Sequence, residues 1–334
     1  MRLGPPLVAL GFLACARAPE PAPSTLQKKL ELAADLEGVP RPLLISMAWV
    51  DSRLRMNEPS ALVNIRKLRE LDFLRLDGGT LRIGPLVTLA RLSSDAQVRK
   101  AAPILAQAAE AAATPQIRNA ATLGGNLAQR PHCWYFRKET FHCRRKGGSE
   151  CFASDALNGQ NEMHAVFDND LCPIVHPSGT ATALAALGAS LVLKGPRGER
   201  TVAIDDFFVR PSADVKHENV LQPGELITEV RVPAGRKAGY VKLMEKQSFD
   251  WPLAEAAVAL GDDPRVVLGA AAPVPWRSRE AEAMIKGRSI DEKLAAATAK
   301  ASVAGAKPLQ HNGYKVPLLE AAVKRALLAA GGAS

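Results

Sequence analysis

The sequence predicts an α+β fold, and three observations carry the prediction. Residues 72–88, DFLRLDGGTLRIGPLVT, alternate apolar and polar side chains on both sides of Asp77-Gly78-Gly79, which is a hairpin signal. Further on, GYVKLMEKQ, AEAAVAL and RVVLGAAA are three short strands divided by turns, Asp262-Asp263-Pro264 among them, and suit a three-stranded antiparallel sheet. Residues 278–286, 290–303 and 316–330 then repeat apolar side chains at helical spacing, as Leu318, Ala322 and Leu327 do in the last, and would bury against that sheet.

The chain has 334 residues, enough for two or three domains around separate cores, and a formal net charge of +9. Neither an RNA-binding aromatic signature nor a helix–turn–helix pattern accompanies the basic balance, so it points to an acidic partner or an anionic cofactor. Residues 1–24 hold Arg2, a short apolar run and Ala14-Cys15, weakly like a signal peptide or lipoprotein processing site, but paired prolines at the start of the run oppose that reading. No stretch is long enough to span a bilayer. Leu26, Leu30, Leu32 and Leu36 give residues 24–37 a helical apolar side, with Ser24 as a possible cap.

Ala101–Ala113 is Ala-rich and helical in propensity, and Thr114-Pro115 ends it. That helix delivers the chain to Thr122-Leu123-Gly124-Gly125-Asn126. Without a Cβ, Gly124 and Gly125 can take φ > 0 and aim their N–H groups into one concavity, the composition of a loop that brings bare backbone against a phosphate. Thr122 and Asn126 can add side-chain hydrogen bonds. A Gly-Gly by itself is more often an ordinary turn.

Four of the five cysteines, Cys133, Cys143, Cys151 and Cys172, follow within one segment of little helical or strand periodicity. A chain this long builds its cores without disulfides. Structural zinc usually draws two ligands two to four residues apart, and no pair here is closer than Cys143 and Cys151. An iron–sulfur cluster accepts four cysteines, but spacing alone leaves cluster, zinc and unligated thiols open. His132, His142 and His164 lie nearby, though four cysteines already complete a set. Arg137, Lys138, Arg144, Arg145 and Lys146 between them read as a solvated basic loop or as a docking surface.

After Cys172, HPSGTATALAALGA reads as a turn feeding a helix capped by Ser178. SLVLKG and RTVAI form a strand pair around Pro196-Arg197-Gly198, DFFVRPS follows, and LQPGELITEVRVP closes the unit with a strand. In GYVKLMEKQ, Lys242 taken alone is an exposed strand lysine.

IRNAATLGGNLAQR, CWYF, CRRKGGSEC, HAVF and CPIVHPSGTATALAALGA together resemble the FAD-binding subunit of the molybdenum hydroxylases, the xanthine dehydrogenase and carbon monoxide dehydrogenase family. The similarity is strongest to the aldehyde oxidoreductase and 4-hydroxybenzoyl-CoA reductase branch and covers about residues 58–334. It implies a FAD-binding domain of the CO-dehydrogenase flavoprotein type over 58–233 and a C-terminal domain over 234–334. It also implies FAD contacts from Thr122, Leu123, Gly124, Gly125, Asn126, Gln129, Thr180, Leu226 and Lys242. In that branch an insert, here about 131–175, carries a [4Fe-4S] cluster, which would fall to Cys133, Cys143, Cys151 and Cys172. A cation at Lys242 would stabilise an anionic reduced flavin.

Two departures accompany the resemblance. The family's first glycine turn, of the Ala-Gly-Gly-Thr kind, has no counterpart in LLISMAWVDSRLRMN, and such a loss over residues 1–57 is what a shifted reading frame or wrong start would leave. Gly179 stands where the family usually has Asp. The implied role is electron transfer from partner [2Fe-2S] clusters to FAD and an external acceptor. Substrate chemistry would belong to a molybdopterin-binding large subunit, and the [2Fe-2S] clusters to a small subunit. No nucleophile–base pair, paired carboxylates or nicotinamide fingerprint appears, so no catalytic residue is assigned. The chain is placed in the cytoplasm by default, with co-export by a partner as the alternative. The competing readings are a four-cysteine metal module of a basic nucleic-acid-binding protein and a stand-alone flavin oxidase.

Overall fold

The computed structural model describes residues 64–246 and 249–332. The expected helix over 24–37, Cys15, Ser248 and the patternless stretch before residue 58 lie outside them. Residues 65–334 form one compact unit.

The first hairpin forms as the sequence predicts. Strand β1 (Leu74–Asp77) pairs antiparallel with β2 (Thr80–Ile83), and Asp77 sits opposite Thr80. Gly78 and Gly79 close the turn at φ +52° and +80°, a left-handed pair whose twist matches that of the strands. Three short helices follow, α1 (Leu89–Ser94), α2 (Ala96–Ala101) and α3 (Pro103–Glu110). The Thr88 and Asp95 side chains accept backbone N–H bonds as caps of the first two. The expected helix over 101–113 is therefore shorter. Ala102 is non-helical, Pro103 opens α3, and Ala113 turns at φ +42°. Thr114-Pro115 ends this run and also starts the next helix, α4 (Pro115–Ala120), with Thr114 as its cap.

Two small helices, α5 (Leu123–Leu127) and α6 (Trp134–Arg137), lead into irregular chain that reaches Pro177. Then α7 (Gly179–Leu187) is capped by Ser178, whose Oγ accepts from Ala181 N, and is closed by Gly188 at φ +73°. Thr180–Leu187 is buried throughout, so this helix is the pillar of the unit. Strands β3 (Ser190–Gly195) and β4 (Gly198–Ala203) form the expected pair. DFFVRPS is not a strand. It enters through a helical turn, α8 (Ile204–Phe207), and makes a single bridge between Phe208 and Asn219. Strand β5 (Leu226–Pro233) completes an antiparallel sheet ordered β1-β2-β5-β3-β4.

A second sheet follows, ordered β6 (Ala238–Met244), β7 (Pro252–Ala259), β8 (Arg265–Gly269) and β9 (Trp276–Arg277). It has four strands where the sequence predicts three. The added strand is two residues long, too short to show alternation. Helices α9 (Arg279–Ile285), α10 (Glu292–Ser302) and α11 (Lys315–Gly331) fall where the spacing places them. Helix α11 buries Leu319, Ala322, Val323, Ala326 and Leu327 completely, and each large side chain among them contributes about 2 kcal/mol. It lies so close to β6 that a Cβ on Gly239 would stand 2.1 Å from the Ala326 carbonyl oxygen.

Candidate cofactor cleft and cysteine cavity

The Thr-Leu-Gly-Gly-Asn stretch is the helical turn α5 rather than an open loop. Neither Gly124 nor Gly125 takes a positive φ, which corrects the expected conformation. Close packing accounts for the first glycine. Leu123 N and Gly124 N donate to the carbonyls of Val87 and Pro85 at 2.9 Å each, and a Cβ on Gly124 would lie 2.7 Å from the Pro85 Cβ. Gly125 is exposed, and a Cβ there would meet only Thr122 Oγ1, at 3.3 Å. Asn126 ties this turn to α7: its Oδ1 accepts from Ser178 Oγ at 2.5 Å and from Thr180 Oγ1 at 2.7 Å. Gln129 Nε2 donates back to the Asn126 carbonyl at 2.8 Å.

Thr122, Gly125, Asn126, Gln129 and Lys242 line a cleft of about 670 Å³, within the size range of small-molecule sites. Leu123, Gly124 and Thr180 are buried behind its wall and hold it in place. Leu226 stands elsewhere. It pairs with Lys194 at the start of β5, is 40% exposed and does not line the cleft, because β5 enters the sheet away from α5.

The opposite wall comes from the second sheet and carries charge. Lys242 Nζ donates to the carbonyls of Ala111 (2.7 Å) and Asp250 (2.8 Å), so this strand lysine is tied down between two loops. Burial lowers its pKa. Glu255 is buried; its Oε1 accepts from the Tyr240 hydroxyl at 3.0 Å. Burial raises its pKa, and Lys242 opposes the rise. A Cβ on Gly179 would lie 2.9 Å from both Glu255 Oε1 and Tyr240 Oη. The departure at Gly179 has a physical reason: Glu255 already brings a carboxylate into that space. Glu255 carries no sequence signal, because strand alternation alone does not mark a buried acid.

Cys133, Cys143, Cys151 and Cys172 all line one cavity, and none is in a disulfide. Tight backbone turns deliver them. Gly147 turns at φ +97°, Gly148 leaves no room for a Cβ against the His142 carbonyl, and Cys151 N donates to Asp155 Oδ2 at 2.9 Å. Tyr135, Phe141 and Phe152 pack together beside it, their ring centroids 4.9–6.0 Å apart. Burial pushes the Cys133 thiol up to about 12 and raises Cys172, where the Arg145 guanidinium opposes the effect. His164 Nε2 lies 3.3 Å from Cys133 Sγ.

The basic residues of this segment are largely structural. Arg145 and Lys146 are buried. Lys146 Nζ donates to the Lys138 carbonyl at 2.6 Å, and Arg144 pairs with Asp155 at 2.8 Å and also reaches the Ser149 and Leu171 carbonyls. Arg145 Nη1 donates to Glu218 at 2.8 Å, while its Nε and Nη2 are buried without an acceptor beside Cys172. Only Arg137 and Lys138 stay exposed, so neither a solvated basic loop nor a basic docking face describes the group.

Among the described residues, no three His, Cys, Asp or Glu side chains converge as a single metal ion requires. Four sulfurs on one zinc ion would stand about 4 Å apart. The four thiols line one space without closing on a single point. A third, small pocket lies between the cleft and this cavity. His132, Pro177, Trp251 and Pro252 line both the cleft and this pocket, whose far side is Cys133, His164 and Ile174. His132 packs on Trp251 at 4.9 Å between centroids. Burial holds the His132 and His164 pKa values at about 4 and that of His176 at about 3, so all three imidazoles are neutral at pH 7.

A fold of two antiparallel sheets with a glycine turn facing a strand lysine across a cleft of this size has the form of a small-molecule-binding protein. The family described as the FAD binding domain in molybdopterin dehydrogenase matches residues 22–235, and the CO dehydrogenase flavoprotein C-terminal domain matches 240–330. The chain belongs to this family, the FAD-binding medium subunits of the molybdenum hydroxylases. It is 34% identical to the aldehyde oxidoreductase FAD-binding subunit PaoB of Escherichia coli (strain K12), over 80% of this chain and 83% of that one. It is 29% identical to the carbon monoxide dehydrogenase medium chain of Hydrogenophaga pseudoflava, over 83% and 84%. Among solved structures, carbon monoxide dehydrogenase from Hydrogenophaga pseudoflava superposes at TM-score 0.61 and 29% identity, covering 84% of this chain and 85% of that one. Quinoline 2-oxidoreductase from Pseudomonas putida 86 does so at 0.62 and 25%, covering 93% and 96%. The nucleic-acid reading finds no support among these relatives.

Proposed function

We propose that the chain is the electron-transfer subunit of a molybdenum-containing hydroxylase, that its cleft holds FAD and that its cysteine cavity holds a [4Fe-4S] cluster. The observation that carries the reading is that one small pocket joins the two sites. The cleft lined by the α5 turn and Lys242 borders that pocket at His132 and Trp251, and the cavity lined by four thiols borders it at Cys133. The residues fit the two groups. Exposed Gly125 leaves the cleft free of a side chain at the α5 turn, and the Nε and Nη2 of Arg145 are donors suited to sulfur.

When bound, FAD supplies the ability to take electrons singly and release them singly or in pairs. The chain's own residues bind and position. Thr122 and Asn126 fix the glycine turn, and Lys242, locked by two carbonyls, presents positive charge to the cleft. His132 and Trp251 stand between the cleft and the pocket that borders the cysteine cavity. A molybdopterin-binding large subunit and a [2Fe-2S] small subunit are the expected partners, with the substrate site in the former. We divide the chain into a FAD-binding part ending at residue 233 and a C-terminal domain from 234, and assign the complex to the cytoplasm.

The test is Cys143→Ala in the co-expressed complex. The iron in excess of what the [2Fe-2S] partner carries is expected to be lost while flavin is largely kept. Unchanged iron, with Cys143 removed, would contradict the assignment of the four thiols.

A further inference from the structure

Glu255 is buried in the middle of β7 yet lines the cleft, a costly place for an acid without a task. Two glycines make room for it. A Cβ on Gly179, at the start of α7, would lie 2.9 Å from Glu255 Oε1, and one on Gly269, its partner on β8, would collide with Oε2 and with Thr182 Oγ1. Neither glycine has a positive φ, so it is the space they leave, not their backbone conformation, that sets them there. The carboxyl is also held from one side, since Tyr240 Oη donates to Oε1 at 3.0 Å.

The carboxyl stands where the two walls of the cleft come together. On β6 its partner across the ladder is Lys242, whose Nζ is committed to two backbone carbonyls. On the other wall Ser178 and Thr180 flank Gly179, and both donate to Asn126 Oδ1. Gly179 thus sets the α5–α7 wall against Glu255, and Asn126, Gly179, Lys242 and Glu255 all line the one cleft. Each carboxyl oxygen has two lone pairs, so Tyr240 leaves acceptor capacity on Oε1, the atom that faces Gly179. An acid repels phosphate, and burial works against its own charge. The group that suits it is a neutral donor, and a hydroxyl can donate to the carboxyl in either protonation state.

We infer that Glu255, set in the space left by Gly179, accepts a hydrogen bond from a hydroxyl on a sugar-like portion of the cofactor and so selects a hydroxylated ligand. The inference rests on the reading of the cleft as the FAD site. FAD carries such hydroxyls in two places, the ribityl chain beside the ring and the ribose of its adenosine, and the chemistry is common to both. Glu255 is a binding residue in this account, and Gly179 acts through it by keeping Oε1 open to the cleft.

The experiment uses the full chain purified with its partner subunits and stripped of flavin, as wild type and as Glu255→Met, Glu255→Gln and Gly179→Ala, each with its Tm measured. Dissociation constants are read from flavin fluorescence for FAD, for analogues lacking single ribityl hydroxyls, and for FAD whose adenosine ribose lacks its hydroxyls. In wild type one of these losses is expected to weaken binding roughly tenfold, and the analogue that does so names the source of the hydroxyl. In Glu255→Met the same loss is expected to change nothing further, whereas Glu255→Gln, which keeps an acceptor in the same shape, keeps the discrimination. Gly179→Ala, whose methyl crowds Oε1, is expected to blunt it, and decides the matter if Glu255→Met does not fold. An equal penalty for each missing hydroxyl in wild type and in these two variants would overturn the inference, as would wild type that binds every analogue as tightly as FAD. Wild-type protein that takes up no FAD is a different failure, that of the cleft reading itself, and takes this inference with it.

Discussion

The two glycines of the α5 turn do different work, and their alanine variants separate it. Gly124→Ala must push the Pro85 ring or move α5, because only 2.7 Å is available. A loss of roughly 1–3 kcal/mol in stability is expected from such overpacking, read as a lower Tm. Gly125→Ala meets no backbone, and alanine favours the helical conformation by about 0.5–1 kcal/mol, so Tm should hold or rise. Its methyl nevertheless stands in the cleft, and flavin retention is expected to fall. Residue reading found these positions but mistook the reason for them, since a helix and a left-handed loop can use the same dipeptide and Pro85 lies far from it in sequence. His176 offers a pH test. Its folded pKa of about 3 lies below the ordinary 6.5, so its contribution is full above pH 6.5 and is lost as pH falls toward 3. Over that window one proton changes stability by about 1.4 kcal/mol per pH unit. His176→Gln is expected to flatten the fall of Tm between pH 6.5 and 4.

At the scale of elements, the first sheet is stitched by charge as well as by its ladder. Glu229 on β5 accepts from Arg82 on β2, through Nη2 at 2.8 Å, and from Arg231 Nε at 3.0 Å. Hydrogen bonding to Arg82 holds the Glu229 carboxyl at about 2, against an ordinary 4.5. Its contribution is therefore present above pH 4.5 and is lost as pH falls toward 2. Glu229→Gln should cost roughly 1–3 kcal/mol at pH 7 and progressively less below pH 4.5, measured by denaturant titration at several pH values. Just before α11, Asn312→Ala removes two buried bonds to the cysteine segment. A loss of roughly 1–3 kcal/mol is expected, with lowered iron retention. The hairpin at Gly78-Gly79, the Ser178 cap and the three C-terminal helices were legible because each has a local signal. Strand β9 was not, since two residues carry no period, and neither was the single helical turn at Ile204–Phe207, which is too short to show one.

For the whole molecule, the informative fact is how the cleft and the cysteine cavity come to border one small pocket. The cysteines could be counted in the sequence, but spacing could not say that all four face one cavity. That depends on Arg145 reaching Glu218, on Lys146 reaching Lys138, and on the start of α11 gripping residues 162–165. The same holds for the cleft, where Lys242 could be singled out while Glu255 and the His132–Trp251 wall could not, because they are defined by contacts between the two sheets and the cysteine segment. Leu226 shows the opposite error, a position carried over by resemblance that the fold turns away from the cleft. The basic surplus of +9 remains available to acidic partners or to the anionic cofactor.

The claim on which this account rests is that one polypeptide holds a flavin and a four-thiol iron centre side by side. Iron, acid-labile sulfide, zinc and flavin should be measured per chain in protein purified anaerobically with its partners and corrected for what the partners carry. About four iron and four sulfide with one FAD are expected. Stoichiometric zinc, or a chain with neither iron nor flavin, would contradict it.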